Sequence, residues 1–230
     1  MAIASARAED DFEPPASGGY FEDLPLVLTP SRLPQPLREA PAAVTVLDHE
    51  FIRATGYRDI ARLFRLVPGM QVGQERGGSQ WVTYHGLGND TPADMQVLID
   101  GRAVYSPTTF AGVDWLTLPV TIDEIDRIEI VRGTDAVAYG PNAFLGVINI
   151  ITRNAGDAPG PQATANAGNA GIRDLRFSWS SNPGDHALRL ATATRRDDGF
   201  SGLYDDSRMN TFSLRSDHRL TDHDQLTFRL

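Results

Sequence analysis

"DRIEIVRGTDAVAYGPNAFLGVINIITR", residues 126–153, contains two strand-like runs on either side of a turn. In the first, Ile128 and Ile130 project to one face and Glu129 to the other, the two-residue period of a strand. The second, "GVINIITR", is apolar except for Asn149. It reads as a central strand buried on both faces. Gly140 and Pro141 make the tight turn between the runs, and Gly146 permits close backbone packing. An asparagine inside such a strand has to satisfy its amide internally, which points to a structural role for Asn149.

Working back towards the N-terminus, "MQVLIDGRAVY" (95–105) reads as a hairpin, because Asp100-Gly101 suits a type I′ turn. "QWVTYHG" (80–86) alternates as a further strand. "YRDIARLFRLVPGM" (57–70) places Ile60, Leu63, Phe64 and Val67 on one helical stripe, ended by Pro68-Gly69. "AVTVLDHEF" (43–51) is a short strand leading to Asp48, the N-cap of a helix through Phe51 and Ile52 that Gly56 stops. Two short helices and four or five strands predict an α+β domain with a small sheet over residues 30–154.

The chain has 230 residues, no cysteine and a formal charge of -9. That charge argues against a protein that grips a nucleic-acid backbone. The absence of cysteine excludes disulfides, thiol catalysis and thiolate metal sites. No segment approaches the roughly 20 apolar residues of a spanning helix. Residues 1–23 are acidic towards their end and rich in Pro, Gly and Ser, which predicts a flexible tail. Ala6-Arg7-Ala8 resembles the end of a secretory signal, although the apolar part of one is missing.

After Arg153, "NAGDAPGPQ" (154–162) is a Gly/Pro linker. Beyond it, Leu175, Phe177 and Trp179 alternate with Arg176, Ser178 and Ser180. Leu188 and Leu190 flank Arg189, Phe212 and Leu214 flank Ser213, and Leu226, Phe228 and Leu230 alternate with Gln225, Thr227 and Arg229. This rhythm fits a soluble antiparallel sheet and equally an outer-membrane barrel, and periodicity alone does not separate them.

The stretch 126–153 resembles the end of the plug domain of TonB-dependent outer-membrane receptors. The likeness extends back through "VLIDGRAVY", "LFRLVPGMQV", "APAAVTVLDHEFI" and "LVLTPSR", in that family's order, over residues 24–154. The chain departs from the family at His85, where an arginine is usual, at Thr134, where proline is usual, and at Leu145-Gly146, often a glycine pair. His85 therefore inherits no ion-pair role. The resemblance implies an α+β plug over residues 30–154. It also implies that residues 155–230 begin an antiparallel transmembrane barrel, incomplete here, since such barrels have about 22 strands.

The resemblance further implies sites. Leu24, Pro25, Leu26, Val27, Leu28 and Thr29 correspond to the TonB box, an extended segment able to add to a sheet edge of the energy-coupling protein TonB. On this reading Val27→Pro uncouples transport without touching the plug core, and Thr29→Ala is milder. Glu129 and Arg132 are candidates for plug–barrel contact; an ordinary strand face is the equal alternative. Arg76, Tyr105 and Phe110 are candidate ligand contacts on plug loops. Asp217, His218, Asp222, His223 and Asp224 cluster in sequence, but their spacing fits no tight metal motif, and a polar turn explains them. No catalytic residue, cofactor or metal site is expected.

The function implied is ligand-gated uptake of a scarce nutrient such as a ferric siderophore, haem or cobalamin. The partners would be TonB, the nutrient and outer-membrane lipid, with the plug inside the barrel and the N-terminus in the periplasm. The alternative is a free-standing soluble plug-like module that binds a periplasmic partner.

Overall fold

The computed structural model describes residues 25–87, 94–105, 112–221 and 224–230. The first of its two sheet systems is mixed and five-stranded: β3 (Ala43–Asp48), β8 (Ile125–Arg132), β9 (Gly146–Thr152), β6 (Met95–Ile99) and β7 (Arg102–Ala103), in that spatial order. Only the β6–β9 pair is parallel. The apolar run 146–152 is thus central, as its composition requires.

One face of this sheet, through Ile128, Ile130, Ile148 and Ile150, packs on the helices. Asp48 caps α1 (His49–Ala54), its carboxylate accepting from the Phe51 N–H at 2.8 Å. The expected second helix is shorter than its pattern: α2 (Ile60–Leu63) tightens into a 3-10 turn at Phe64–Leu66. All four stripe residues, Ile60, Leu63, Phe64 and Val67, are nonetheless buried. At about 1.5–3 kcal/mol for each large apolar side chain, this stripe fixes the helices to the sheet. β4 (Met70–Gln74) and β5 (Gln80–Tyr84) form a separate hairpin. Asp100 and Gly101 both take positive φ, 48° and 78°, as a type I′ turn demands. At Gly146 a Cβ would lie 2.4 Å from the Val131 carbonyl oxygen, so only glycine lets β9 enter beside β8.

The second system is an antiparallel meander: β10 (Gly160–Ala167), β11 (Arg173–Ser181), β12 (His186–Asp197), β13 (Ser207–Arg219) and β14 (Gln225–Arg229). Its polar face lies against the first domain. Its other face leaves Leu175, Phe177, Trp179, Phe212, Leu226 and Phe228 exposed.

Candidate functional site

The opposite face of the mixed sheet carries Glu129, Val131, Val147 and Asn149, and a strap made of residues 25–36 crosses it. Strand β1 (Leu26–Val27) pairs with β2 (Gln35–Pro36), a ladder of two residues each. The Leu37 N–H adds a bond to the Pro25 carbonyl at 3.2 Å. Val27 is completely buried, whereas Leu26 is 57% exposed.

Beyond this ladder the strap is held by one carboxylate. Glu129 Oε2 accepts from the backbone N–H of Leu28 at 2.9 Å, from that of Thr29 at 2.8 Å and from the Thr29 hydroxyl at 2.6 Å. Its other oxygen accepts from Arg127 Nε at 2.9 Å. Four donors converge on a side chain with no exposed surface, which is how a buried charge is tolerated. Two more groups hold Thr29. Tyr139 donates its hydroxyl to the Thr29 carbonyl at 2.7 Å, and Asn149 Nδ2 donates to the Thr29 hydroxyl oxygen at 3.3 Å. Asn149 also accepts from the Gly101 N–H at 3.3 Å, so its amide is satisfied internally. Arg32 lies over the Tyr139 ring, 4.5 Å from its centroid. A groove of about 450 Å³ runs beside the strap, lined by Leu28, Arg32, Asp100, Tyr139 and Ile151. Leu24 lies outside the described residues.

Among the described residues Glu129 bonds to the strap and to Arg127 and not to the meander, because its face of β8 points away from the helices and towards residues 27–29. Arg132 makes no ion pair among the described residues, and its Nε is buried without a hydrogen-bond partner.

The contacts between the two systems come from other residues. Arg58, in the turn before α2, donates to Asp174 at 2.8 and 2.7 Å and to Asp197 at 2.5 Å. Asp59 pairs with Arg195, Asp123 with Arg176 and Asp100 with Arg229. Glu124 accepts from Ser213 at 2.5 Å and faces Arg189 at 3.8 Å. Arg215 gathers the end of β9 through the Arg153 carbonyl at 2.7 Å, the Thr152 hydroxyl at 2.8 Å and Asn154 Oδ1 at 2.8 Å. Between these pairs lies a polar cavity of about 320 Å³, lined by Arg53, Arg153, Arg176, Arg189, Asp123 and Glu124. The signal in the sequence is parity: Arg176, Arg189 and Arg229 alternate with the apolar row, hence point inward. Their partners depend on how the domains dock, which no local pattern encodes.

Of the loop residues, Arg76 is exposed on the β4–β5 hairpin, next to Gly77, whose N–H donates to Asp205 of the β12–β13 loop at 2.6 Å. Tyr105 is turned inward: its hydroxyl donates towards the Met95 carbonyl at 3.3 Å and Gln96 Oε1 at 3.1 Å. It is partly buried, its hydroxyl bonded within the first domain. Phe110 lies outside the described residues. Asp217 and His218 occupy opposite faces of β13, Asp217 facing Arg215 and the Ala155 N–H, so they do not share a site. Asp222 and His223 are outside the described residues.

Residues 36–147 match the TonB-dependent Receptor Plug Domain family. The chain carries a TonB-dependent receptor plug domain. Among curated relatives, the vitamin B12 transporter BtuB of Photobacterium profundum is 33% identical over 177 residues, covering 76% of this chain and 28% of that protein. The iron-regulated outer membrane virulence protein of Vibrio cholerae is 32% identical over 158 residues, covering 66% of this chain and 22% of that protein. The chain thus spans about 28% of the length of the first of these relatives. Among solved structures, the P. aeruginosa FpvA complex with heterologous pyoverdines superposes with a TM-score of 0.73 over 91% of this chain and 28% of that one. At 17% identity this speaks for the fold alone: a plug followed by antiparallel strands. The matched residues take in the helices and the mixed sheet as far as the start of β9; the strap precedes them and the meander follows β9.

Proposed function

We propose that the chain supplies the plug and first wall strands of an outer-membrane active transporter that takes up a scarce nutrient under the control of TonB. The observation that carries the reading is the strap: a segment held by a two-residue ladder and by side chains gathered on Thr29, and not built into the mixed sheet. Such a segment can leave the sheet intact when it goes. Residues 24–29 then act as the TonB box, freed when ligand binds and captured by TonB through strand addition. The meander acts as wall, its polar face gripping the plug and its apolar row facing lipid, within a closed barrel that leaves no edge unpaired. The plug sits inside that barrel with the N-terminus in the periplasm.

The nutrient class is taken from the relatives, one named for vitamin B12 and one for iron regulation. A corrinoid or a ferric chelate is therefore the proposed cargo, met by outward plug loops such as the one bearing Arg76. Nothing in this scheme is chemically transformed. The free-standing soluble module lacks such support: the relatives that match are transporters and receptors, and the bare apolar row suits lipid.

The test is paired binding and uptake of labelled cyanocobalamin and of ferric siderophores by cells expressing the receptor, unaltered and with Val27→Pro. Binding retained with uptake lost supports the reading. Undiminished uptake places the coupling segment elsewhere.

A further inference from the structure

The outward face of β12 and β13 carries a histidine pair that transport leaves unused. His186 opens β12, and His218 lies one residue before the end of β13, directly opposite it in register. Both belong to the outward row, with Leu188 and Leu190 on one strand and Phe212 and Leu214 on the other. The inward network of Arg189, Arg215 and Asp217 is therefore on the far side of the backbone. The two Nδ1 atoms are 2.8 Å apart, and the rings meet edge to face at 5.0 Å. The His218 ring also rests edge-on to Phe228 at 6.0 Å, and its Nε2 lies 2.8 Å from the Ser216 hydroxyl.

The two Nδ1 atoms face each other across one shared proton, and the remote nitrogen of His218 is held by the Ser216 hydroxyl, a support usual behind a metal ligand. Metal–imidazole bonds of about 2.0–2.1 Å at tetrahedral or square angles place the two nitrogens roughly 3 Å apart, close to the spacing found. An ion bound by both Nδ1 atoms displaces the proton that lies between them. The pair lies where β12 begins and β13 ends, beside the turn at 182–185, and His186 is exposed. Nitrogen donors select borderline divalent ions over Mg²⁺ or Ca²⁺.

We propose that His186 and His218 form a two-imidazole site for a divalent transition metal ion, Cu²⁺ or Zn²⁺, that clips β12 to β13. The proposal does not rest on the transport reading, since the pair faces away from the plug. The probe is Cu²⁺ itself, added below stoichiometry to the tag-free chain in detergent micelles and followed by electron paramagnetic resonance. Two coupled nitrogens are expected, falling to one in His186→Asn and in His218→Asn with at least a ten-fold loss of affinity. Ser216→Ala should keep both nitrogens and bind about ten-fold more weakly. Zn²⁺ should displace Cu²⁺, whereas millimolar Mg²⁺ should not. A signal with fewer than two nitrogens in the unaltered chain overturns the proposal, whatever the variants do. So does a two-nitrogen signal that survives in the double variant, which would assign it to the other histidines.

Discussion

Thr29 and Glu129, separated by 100 residues in sequence, share a single carboxylate oxygen that takes both the backbone N–H and the hydroxyl of the threonine. The strap is therefore fastened at Thr29. Removing the hydroxyl should loosen the strap, with a cost of about 1–3 kcal/mol for a buried carboxylate left short of a donor. Thr29→Ser should be close to neutral. Hydrogen exchange at the Leu28 and Thr29 amides measures this directly: faster in Thr29→Ala, nearly unchanged in Thr29→Ser. Thr29→Ala remains the milder change for the backbone, and its expected effect is on strap docking, through the buried Glu129. Exchange as slow as in the unaltered chain would remove Glu129 as the fastener.

Val27→Pro carries a second effect absent from the sequence argument. Val27 is fully buried and pairs with Gln35, so proline disturbs docking as well as the backbone donor. The variant should show raised protease sensitivity in residues 25–36 while the mixed sheet stays protected. Cleavage spreading into 43–48 or 125–132 would mean that the plug itself has unfolded.

A buried ion pair between the two sheet systems and an exposed pair within the first differ sharply in value. Arg58→Ala leaves Asp174, whose side chain is 1% exposed, without its counter-charge, a loss of about 3–5 kcal/mol for a broken buried pair. Arg38 and Glu39 sit 3.6 Å apart with side chains 58% and 59% exposed, and Arg38→Ala should change stability by less than about 0.5 kcal/mol. Urea melts of both variants in detergent test the contrast. Equal midpoints would show that the Arg58 pairs do not hold the plug.

Burial keeps the Asp135 carboxyl above its usual range, and Arg32 draws it part of the way back. An acid raised in this way favours the folded state while protonated, and that contribution is lost as pH rises through its folded pKa, above the ordinary value of about 3.9. Because docked Arg32 lowers the pKa, deprotonation must in turn favour docked Arg32. Strap protection should therefore increase with pH across the Asp135 titration. Arg32→Ala should move that titration upward in carbon-detected NMR; an unmoved titration would show that the two groups do not interact.

Much of the plug is legible in the sequence because its signals are local. The apolar stripe of α2, the Asp48 cap, the Asp100-Gly101 turn and the uninterrupted run of β9 each state their own role. The shortening of α2 was not legible, since Val67 and Pro68 act on the helix end only once the core has set its direction. The use of Glu129 was hidden for a related reason. Alternation shows that it faces away from Ile128 and Ile130, but not that a segment 100 residues earlier covers that face. The partners of Tyr105 were hidden too: a tyrosine in a loop says nothing of where its hydroxyl finds an acceptor.

The two-residue ladder of β1 and β2 also fixes the mechanical order in which the molecule yields. Tension applied ahead of Leu26 opens this short hairpin one bond at a time, as a zip and not in shear. The load then arrives at Glu129, on a strand anchored along its length by β3 on one side and β9 on the other. The weakest joint is thus the outermost one. A brief tug spends its work on the strap and leaves the sheet at rest, whereas a sustained pull is delivered to the middle of β8, the point from which the whole sheet can be dragged as a unit.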